Sequence, residues 1–366
     1  MTSGVREPRW DNVRFLSGTL VVIGHTTESL AHSDGLRWLY VATWPLRVPV
    51  FVLLAGYFSS AGPLDARELR RLSESVLLPY LVIGLLHTLQ LRAMYGDWNF
   101  FLEKPAWALW FLLALLAWRM VLPYVAVLRF PLLITTLLAL TIGLAHGFGE
   151  SFSASRIVCY LPFFLLGWKL RQGGSTTARL LRARWTRNAA VCVLAVTAAA
   201  GWVLRYDVDI AWLAMRSPYA EMSAPPGPVW APIALRAVVL LGGGVVALSL
   251  VRLVPARRLP LISYLGAGGL YIYLLHPLAV RPLTVYGDVS RVGPWPEQLA
   301  LIALAVALAA ALGSPPVRKL ARPLVQPRLP WLYAEGRRPR GRHGGQQPRP
   351  SSRPPSPAHP QEETLR

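Results

Sequence analysis

Residues 10–25 read Trp10-Asp11-Asn12-Val13-Arg14-Phe15-Leu16-Ser17-Gly18-Thr19-Leu20-Val21-Val22-Ile23-Gly24-His25. After a charged start the stretch turns apolar, and it ends on an imidazole. Arg14 and His25 are eleven positions apart. At 100° per residue this returns to within about 20° of the same helix face, roughly 16 Å further along. One stripe of one helix therefore carries a cation at the surface and an imidazole deep in the membrane. Asp11, three residues before Arg14, is spaced to pair with it. Glu28 and Ser29 lie three and four residues past His25, where either can orient the ring, and a general base needs a neutral imidazole. Two plainer readings stand beside this one: Arg14 as a snorkelling interface residue, and His25 as a hydrogen-bonding group in helix packing.

The rest of the chain sets this helix in a membrane. Of 366 residues, 54% are hydrophobic and only 15% charged, with a mean hydropathy of +0.39. A soluble globular domain carries about 25% charged residues, and a disordered or nucleic-acid-binding chain is not this apolar. The 38 Lys+Arg against 18 Asp+Glu leave a net charge of +20, so the distribution of charge has to separate nucleic-acid binding from membrane orientation.

Spanning the hydrocarbon takes about 20 mainly apolar residues. Ten segments meet that length approximately: 13–32, 38–60, 76–95, 105–127, 130–148, 156–170, 188–205, 229–251, 260–282 and 297–316. Segment 156–170 is short, and Pro277 and Pro282 are expected to bend or end the helix at 260–282. Basic residues cluster after the even-numbered segments, so that 27 of the 38 fall on one side. Cytoplasmic loops retain positive charge, so both termini are expected in the cytoplasm. The fold class is all-α, a polytopic integral membrane protein of about ten helices. Residues 1–12 form a cytoplasmic N-terminal segment and 13–320 the transmembrane domain, with a disordered Arg/Pro-rich tail at 336–366. That tail also reads as a polybasic segment attracted to anionic lipid. Ser29-Leu30-Ala31 loosely resembles a signal cleavage site, but Ser17, Thr19, Gly24 and His25 make a poor signal core, so the first helix is expected to be retained. Only three of the basic residues are lysines, a composition that suggests a GC-rich bacterial genome and hence the bacterial plasma membrane.

Cys159 and Cys192 fall near opposite membrane faces in this parse and are not expected to form a disulfide. There is no P-loop, no dinucleotide fingerprint and no Cys/His spacing for a metal, so no metal and no nucleic acid are expected. Ionisable groups inside a membrane are costly and mark function by default. Here they are Arg14, His25, Arg47, His87, Arg119, His146, Arg236 and His276, with no acid in mid-helix. Ion-coupled carriers commonly use such an acid, so its absence lowers a transporter reading.

The segment from Trp10 to His25 resembles the first helix of membrane acyltransferase family three, whose hallmark is an arginine and a histidine with ten residues between them. It is most similar to the fucose 4-O-acetylase-like branch. Pro49-Val50-Phe51 with Ala55-Gly56-Tyr57-Phe58, Arg70-Arg71-Leu72 with Leu78-Pro79-Tyr80, and Trp110-Phe111-Leu112 resemble later motifs of that family in the right order. So do Pro162-Phe163-Phe164 with Gly167, and Leu265-Gly266 with Tyr271-Ile272-Tyr273-Leu274-Leu275-His276. The likeness covers about residues 8–320. Ala55 replaces the usual serine, and Arg47 stands where the branch commonly has a histidine.

The resemblance implies transfer of an acyl group, usually acetyl, from cytoplasmic acyl-coenzyme A to a hydroxyl of a carbohydrate or other small acceptor. The donor, acetyl-coenzyme A, is a co-substrate, and no cofactor is expected to stay bound. His25, oriented by Glu28, is the expected general base or transient acyl carrier. Arg14, with Asp11, positions the donor, whose phosphates suit planar cations such as Arg70 and Arg71 at the same surface. Tyr273 and His276 are the expected acceptor-side contacts. The competing class is a transporter or exporter of glycans or lipids, followed by a catalytically degenerate scaffold.

Overall fold

The computed structural model describes residues 7–333 except 31, 97, 99, 106, 146–150, 223–227, 229 and 328. His146 and the expected tail at 336–366 lie outside the described residues. The chain divides into two units, Met1–Arg328 and Leu329–Arg366; of the second, residues 329–333 are described, with a single turn at Pro330–Leu332. Among the described residues there is no strand.

The principal helices are α1 (Pro8–Thr27), α2 (Asp34–Tyr57), α3 (Ala66–Tyr95), α4 (Trp107–Ala126), α5 (Pro131–Leu144), α6 (Ala154–Gln172), α7 (Arg184–Val203), α8 (Trp230–Leu253), α9 (Pro260–Gly266), α10 (Gly269–Tyr286), α11 (Trp295–Gly313) and α12 (Pro315–Val325). Seven are long and apolar enough to cross a membrane: α2, α3, α4, α6, α7, α8 and α11. The bent pair α9–α10 makes an eighth if it is counted as one span. The expected ten segments include two more helices that fall short of this standard. α5 is too short, and α1 carries Arg9, Asp11, Asn12 and Arg14 in its first two turns. α1 also starts at Pro8, ahead of the expected boundary at residue 13.

α1 is too polar to face lipid, and the fold encloses it in protein. It packs against α2, α9, α10 and α11, and Asp11, Asn12, Ser17, Thr19, Thr26 and Thr27 are all buried. Polar groups out of water need partners, and all of these but the Thr19 hydroxyl have one. Asn12 donates from Nδ2 to the carbonyls of Pro255 (3.0 Å) and Arg257 (3.1 Å), and its Oδ1 accepts from the Ser263 hydroxyl. The Ser17 hydroxyl donates to the Arg47 carbonyl at 3.0 Å. The buried stretch Trp10-Asp11-Asn12 thereby ties the start of α1 to the loop that leads into α9.

α2 and α6 cross closely because each presents a glycine to the other's backbone. A Cβ on Gly56 would collide with the Phe164 carbonyl, and one on Gly167 with that of Leu53. Such small-residue contacts let helices approach in lipid, where apolar surface alone does not drive association. The expected bend at Pro277 and Pro282 is corrected: α10 runs through both prolines, and the 74° break lies before it, between Gly266 and Gly269. Gly266 and Gly268 at the break let the backbone pass close to the Asp11 and Gly313 carbonyls, where a Cβ would collide, while the carbonyl that Pro277 would leave unpaired finds another donor, described below. Cys159 is buried and Cys192 exposed, both as free thiols.

Candidate functional site

A cavity of about 470 Å³ opens at the end of the bundle where α1 finishes and α2, α4 and α6 begin. His25 and Glu28 lie on its wall. The His25 Nδ1 is 3.3 Å from Glu28 Oε2, as the three-residue spacing predicts, which leaves Nε2 as the ring nitrogen available to a substrate. Burial works to raise the Glu28 carboxyl. The hydrogen bond and charge of His25, the Trp107 indole and the charge of Arg47 outweigh it and hold the group below its ordinary value. Trp107 opens α4 with a φ of 48°, a left-handed conformation uncommon for an aromatic residue and a form of strain that clusters at functional sites. Its indole lies 4.4 Å from the His25 ring between centroids.

Behind His25 stands His276, fully buried, its ring stacked at 5.3 Å and 20°. It lies off the cavity wall. Its Nδ1 is 2.6 Å from the Tyr273 carbonyl and 3.2 Å from that of Ile272. Carbonyls only accept, so Nδ1 carries the proton and Nε2, which has no partner, carries a lone pair. The Tyr273 carbonyl is the one a residue at 277 would ordinarily bond in an α-helix, and proline has no N–H to offer. Pro277 thus frees the acceptor that fixes the tautomer of His276.

Tyr273 does reach the cavity, and its hydroxyl donates to the Ala108 carbonyl. With Phe51 and Phe111, at ring distances of 5.6 and 5.1 Å, it forms an aromatic floor. Beyond that floor lies the other end of α1. Arg14 is there, bonded to Asp11 at 2.9 Å and stacked 4.5 Å over Phe58. Arg70 pairs with Glu74 (2.9 Å) and Arg71 with Glu68 (3.3 Å), all four on one helix. The expected Asp11–Arg14 pair is therefore present, but Arg14, Arg70 and Arg71 do not line the cavity. A smaller cleft of about 280 Å³ touches Asp11 and Arg258 at their end.

Among the described residues, five cations line the cavity: Arg47, Lys104, Arg156, Arg216 and Arg281. Arg47 is the deepest. It is 5% exposed, stacks 4.3 Å over Tyr40 and donates from Nη2 to the Tyr40 carbonyl at 2.6 Å, while its buried Nε has no partner. Its guanidinium lies against the backbone of Gly24, where a Cβ would collide with it, so it sits one residue from His25. The sequence marks Arg47 as an intramembrane ionisable group and as a departure from a pattern, but does not place it or the other four in a site. The available signal was their position: Lys104, Arg156, Arg216 and Arg281 belong to the minority of basic residues outside the 27 that orient the chain. The intramembrane groups His87, Arg119 and Arg236 stay off the cavity wall. Among the described residues no group of His, Cys, Asp and Glu could hold a metal ion.

Comparison with known proteins finds one family: the model described as an acyltransferase domain matches residues 7–314. No curated protein and no solved structure matches the chain.

Proposed function

Because the chain belongs to the acyltransferase domain family, and is thus a membrane-embedded O-acyltransferase, we propose that it moves an acetyl group from acetyl-coenzyme A to a hydroxyl of a carbohydrate acceptor, in the manner of the fucose 4-O-acetylase-like branch. The observation that carries this reading is the His25–Glu28 pair on the wall of a cavity large enough for a small acceptor. In the proposed step, Glu28 accepts the Nδ1 proton of His25 in a hydrogen bond, and Nε2 takes the proton of the acceptor hydroxyl. The oxygen attacks the thioester carbonyl. As the tetrahedral intermediate collapses, the C–S bond breaks and coenzyme A leaves as a thiol, carrying the proton that His25 returns.

Arg47 is the group in this reading that stabilises the oxyanion, since it lines the cavity and its guanidinium packs beside Gly24, one residue from His25. Positioned donors of this kind act where charge develops. His276 is a positioning residue behind His25, and Tyr273 an acceptor-side contact. Arg14, Arg70 and Arg71 serve the donor at the far end of α1, and the pantetheine arm reaches His25 when the floor of Phe51, Phe111 and Tyr273 opens. Family membership favours transfer over the transporter reading. The test is transfer of label from radioactive acetyl-coenzyme A to an acceptor in membranes that carry the protein; label that appears only when His25 is intact supports the reading, and label indifferent to His25 removes it.

A further inference from the structure

We propose that α12 docks on an anionic bilayer leaflet, with Leu320 and Leu324 in the acyl boundary and Lys319 and Arg322 among the lipid headgroups. The helix begins at Pro315, past the end of the family match at residue 314, and the transfer reaction makes no use of it. α11 is apolar enough to span a membrane and ends at Gly313. Only Ser314, extended at φ −72° and ψ 153°, separates it from α12. A helix that starts one residue after a span starts at the membrane surface.

The side chains around α12 show what each of its faces meets. Val317, Ala321 and Val325 recur every four residues, and Ala321 and Val325 are buried where the helix packs on α3, α10 and α11. At 100° per residue these three positions cover about 80° of the circumference. Leu324 and Leu320 carry the same apolar arc on by about another 60°. The protein leaves this part uncovered: Leu320 is 82% exposed and Leu324 38%. Arg318, Arg322 and Lys319 take the opposite side, with Lys319 and Arg322 exposed. The stem of Arg318 lies against Gly268, at the break before α10, where a Cβ would crowd it. The helix is thus seated on the bundle by one part of its apolar arc and presents the other part outward.

An apolar arc wider than its contact with protein, backed by basic residues, is the pattern of a helix lying in the plane of the membrane interface. No acid occurs in the sequence between Glu297 and Glu335, so the charge of this helix complements an anionic leaflet. Free phosphate offers the same charge but no acyl chain to cover Leu320.

The test needs no turnover and is independent of the acyl-transfer reading. Full-length Leu320→Cys protein, with Cys192→Ser to remove the exposed native thiol, is labelled with an environment-sensitive fluorophore. It is then placed in nanodiscs of phosphatidylcholine alone or mixed with phosphatidylglycerol. The label is expected to be quenched by doxyl-labelled lipid and shielded from iodide, with lipid quenching about twofold or more stronger when phosphatidylglycerol is present. Raised ionic strength should erase that difference, as should Lys319→Gln combined with Arg322→Gln, while millimolar inorganic phosphate should leave it intact. If the glutamine variant fails to fold, the salt dependence decides. A label open to iodide, a label shielded from both quenchers as a covering protein segment would leave it, quenching indifferent to phosphatidylglycerol, or a difference abolished by inorganic phosphate at constant ionic strength overturns the proposal.

Discussion

Arg47 and Gly24 occupy one site between them: the guanidinium of α2 fills the volume that any side chain at position 24 of α1 would need. A cation is thereby brought against the backbone beside His25, at a position where the family pattern commonly supplies a histidine. Arg47→Gln is expected to lower the transfer rate at saturating donor by about 10²–10³-fold, the usual cost of removing an oxyanion donor, with little change in KM. Gly24→Ala should lower the rate in the same direction by displacing the guanidinium. A rise in donor KM at constant rate would move Arg47 from the chemistry to donor binding.

His25→Ala should reduce label transfer by about 10²–10⁴-fold, the contribution of a general base. Membrane insertion should be unchanged, because the ring is only partly buried and packs against side chains that remain. The comparison is between labelled product and the amount of full-length protein in the same membranes.

Glu28 titrates below its ordinary value of 4.5, so its carboxylate is ionised throughout the neutral range. A folded-state value that is lowered contributes stability that is present above the unfolded value and lost as pH falls through the folded one. The acid decrease in thermal midpoint below about pH 4.5 should therefore be shallower in Glu28→Gln than in the unaltered protein. At pH 7 the same variant should be slower by roughly 10²-fold or more, since an imidazole without its orienting carboxylate no longer holds the productive tautomer. Parallel acid melting curves would count against the pair.

Pro277→Ala supplies an N–H that competes with His276 for the Tyr273 carbonyl. Replacing a proline inside a helix removes a local cost of about 3 kcal/mol, so the thermal midpoint is expected to hold or rise. The transfer rate is expected to fall roughly tenfold as His276 loses its fixed tautomer, a loss of about 1.4 kcal/mol. A rate that rises along with stability would show that the tautomer is immaterial.

Arg14→Ala should raise the KM for acetyl-coenzyme A more than Arg119→Ala does, since Arg14, beside Asp11 and Phe58, is assigned to the donor while Arg119 is given no part in the reaction. Arg70 and Arg71 are in exposed pairs, which are worth about 0–1 kcal/mol to stability. Replacing either should therefore leave the melting point nearly unchanged, so that a change in donor KM reports binding and not folding.

Seven of the ten apolar segments read from the sequence coincide with helices long and apolar enough to span, 260–282 coincides with a bent pair, and 13–32 and 130–148 with helices that fall short of that standard; the short-range pairs Asp11–Arg14 and His25–Glu28 form as their spacing requires. These are properties of one helix at a time, and periodicity shows them. The sequence suggests a bend at Pro277 and Pro282 because a proline deletes a hydrogen bond in any sequence, whereas the donor that replaces the one lost at Pro277 is the ring of His276, whose orientation depends on packing. Arg47, Arg156, Arg216 and Arg281 come from four separate stretches, and nothing in their own neighbourhoods says that they face one cavity. The collision between Gly24 and Arg47 exists only once α1 and α2 are side by side.

The helix that bears His25 is also the helix a bilayer would refuse if it were offered alone. Its buried Asp11 pairs with Arg14 of the same helix and Ser17 with the Arg47 carbonyl of the next, but Asn12 is satisfied by carbonyls made much later, at residues 255 and 257. The polar start of α1 is therefore fully paired only once residues 255–263 have been made. The enzyme's reactive centre is completed by the closing event of assembly, so an unfinished chain has helices in the membrane but no chemistry.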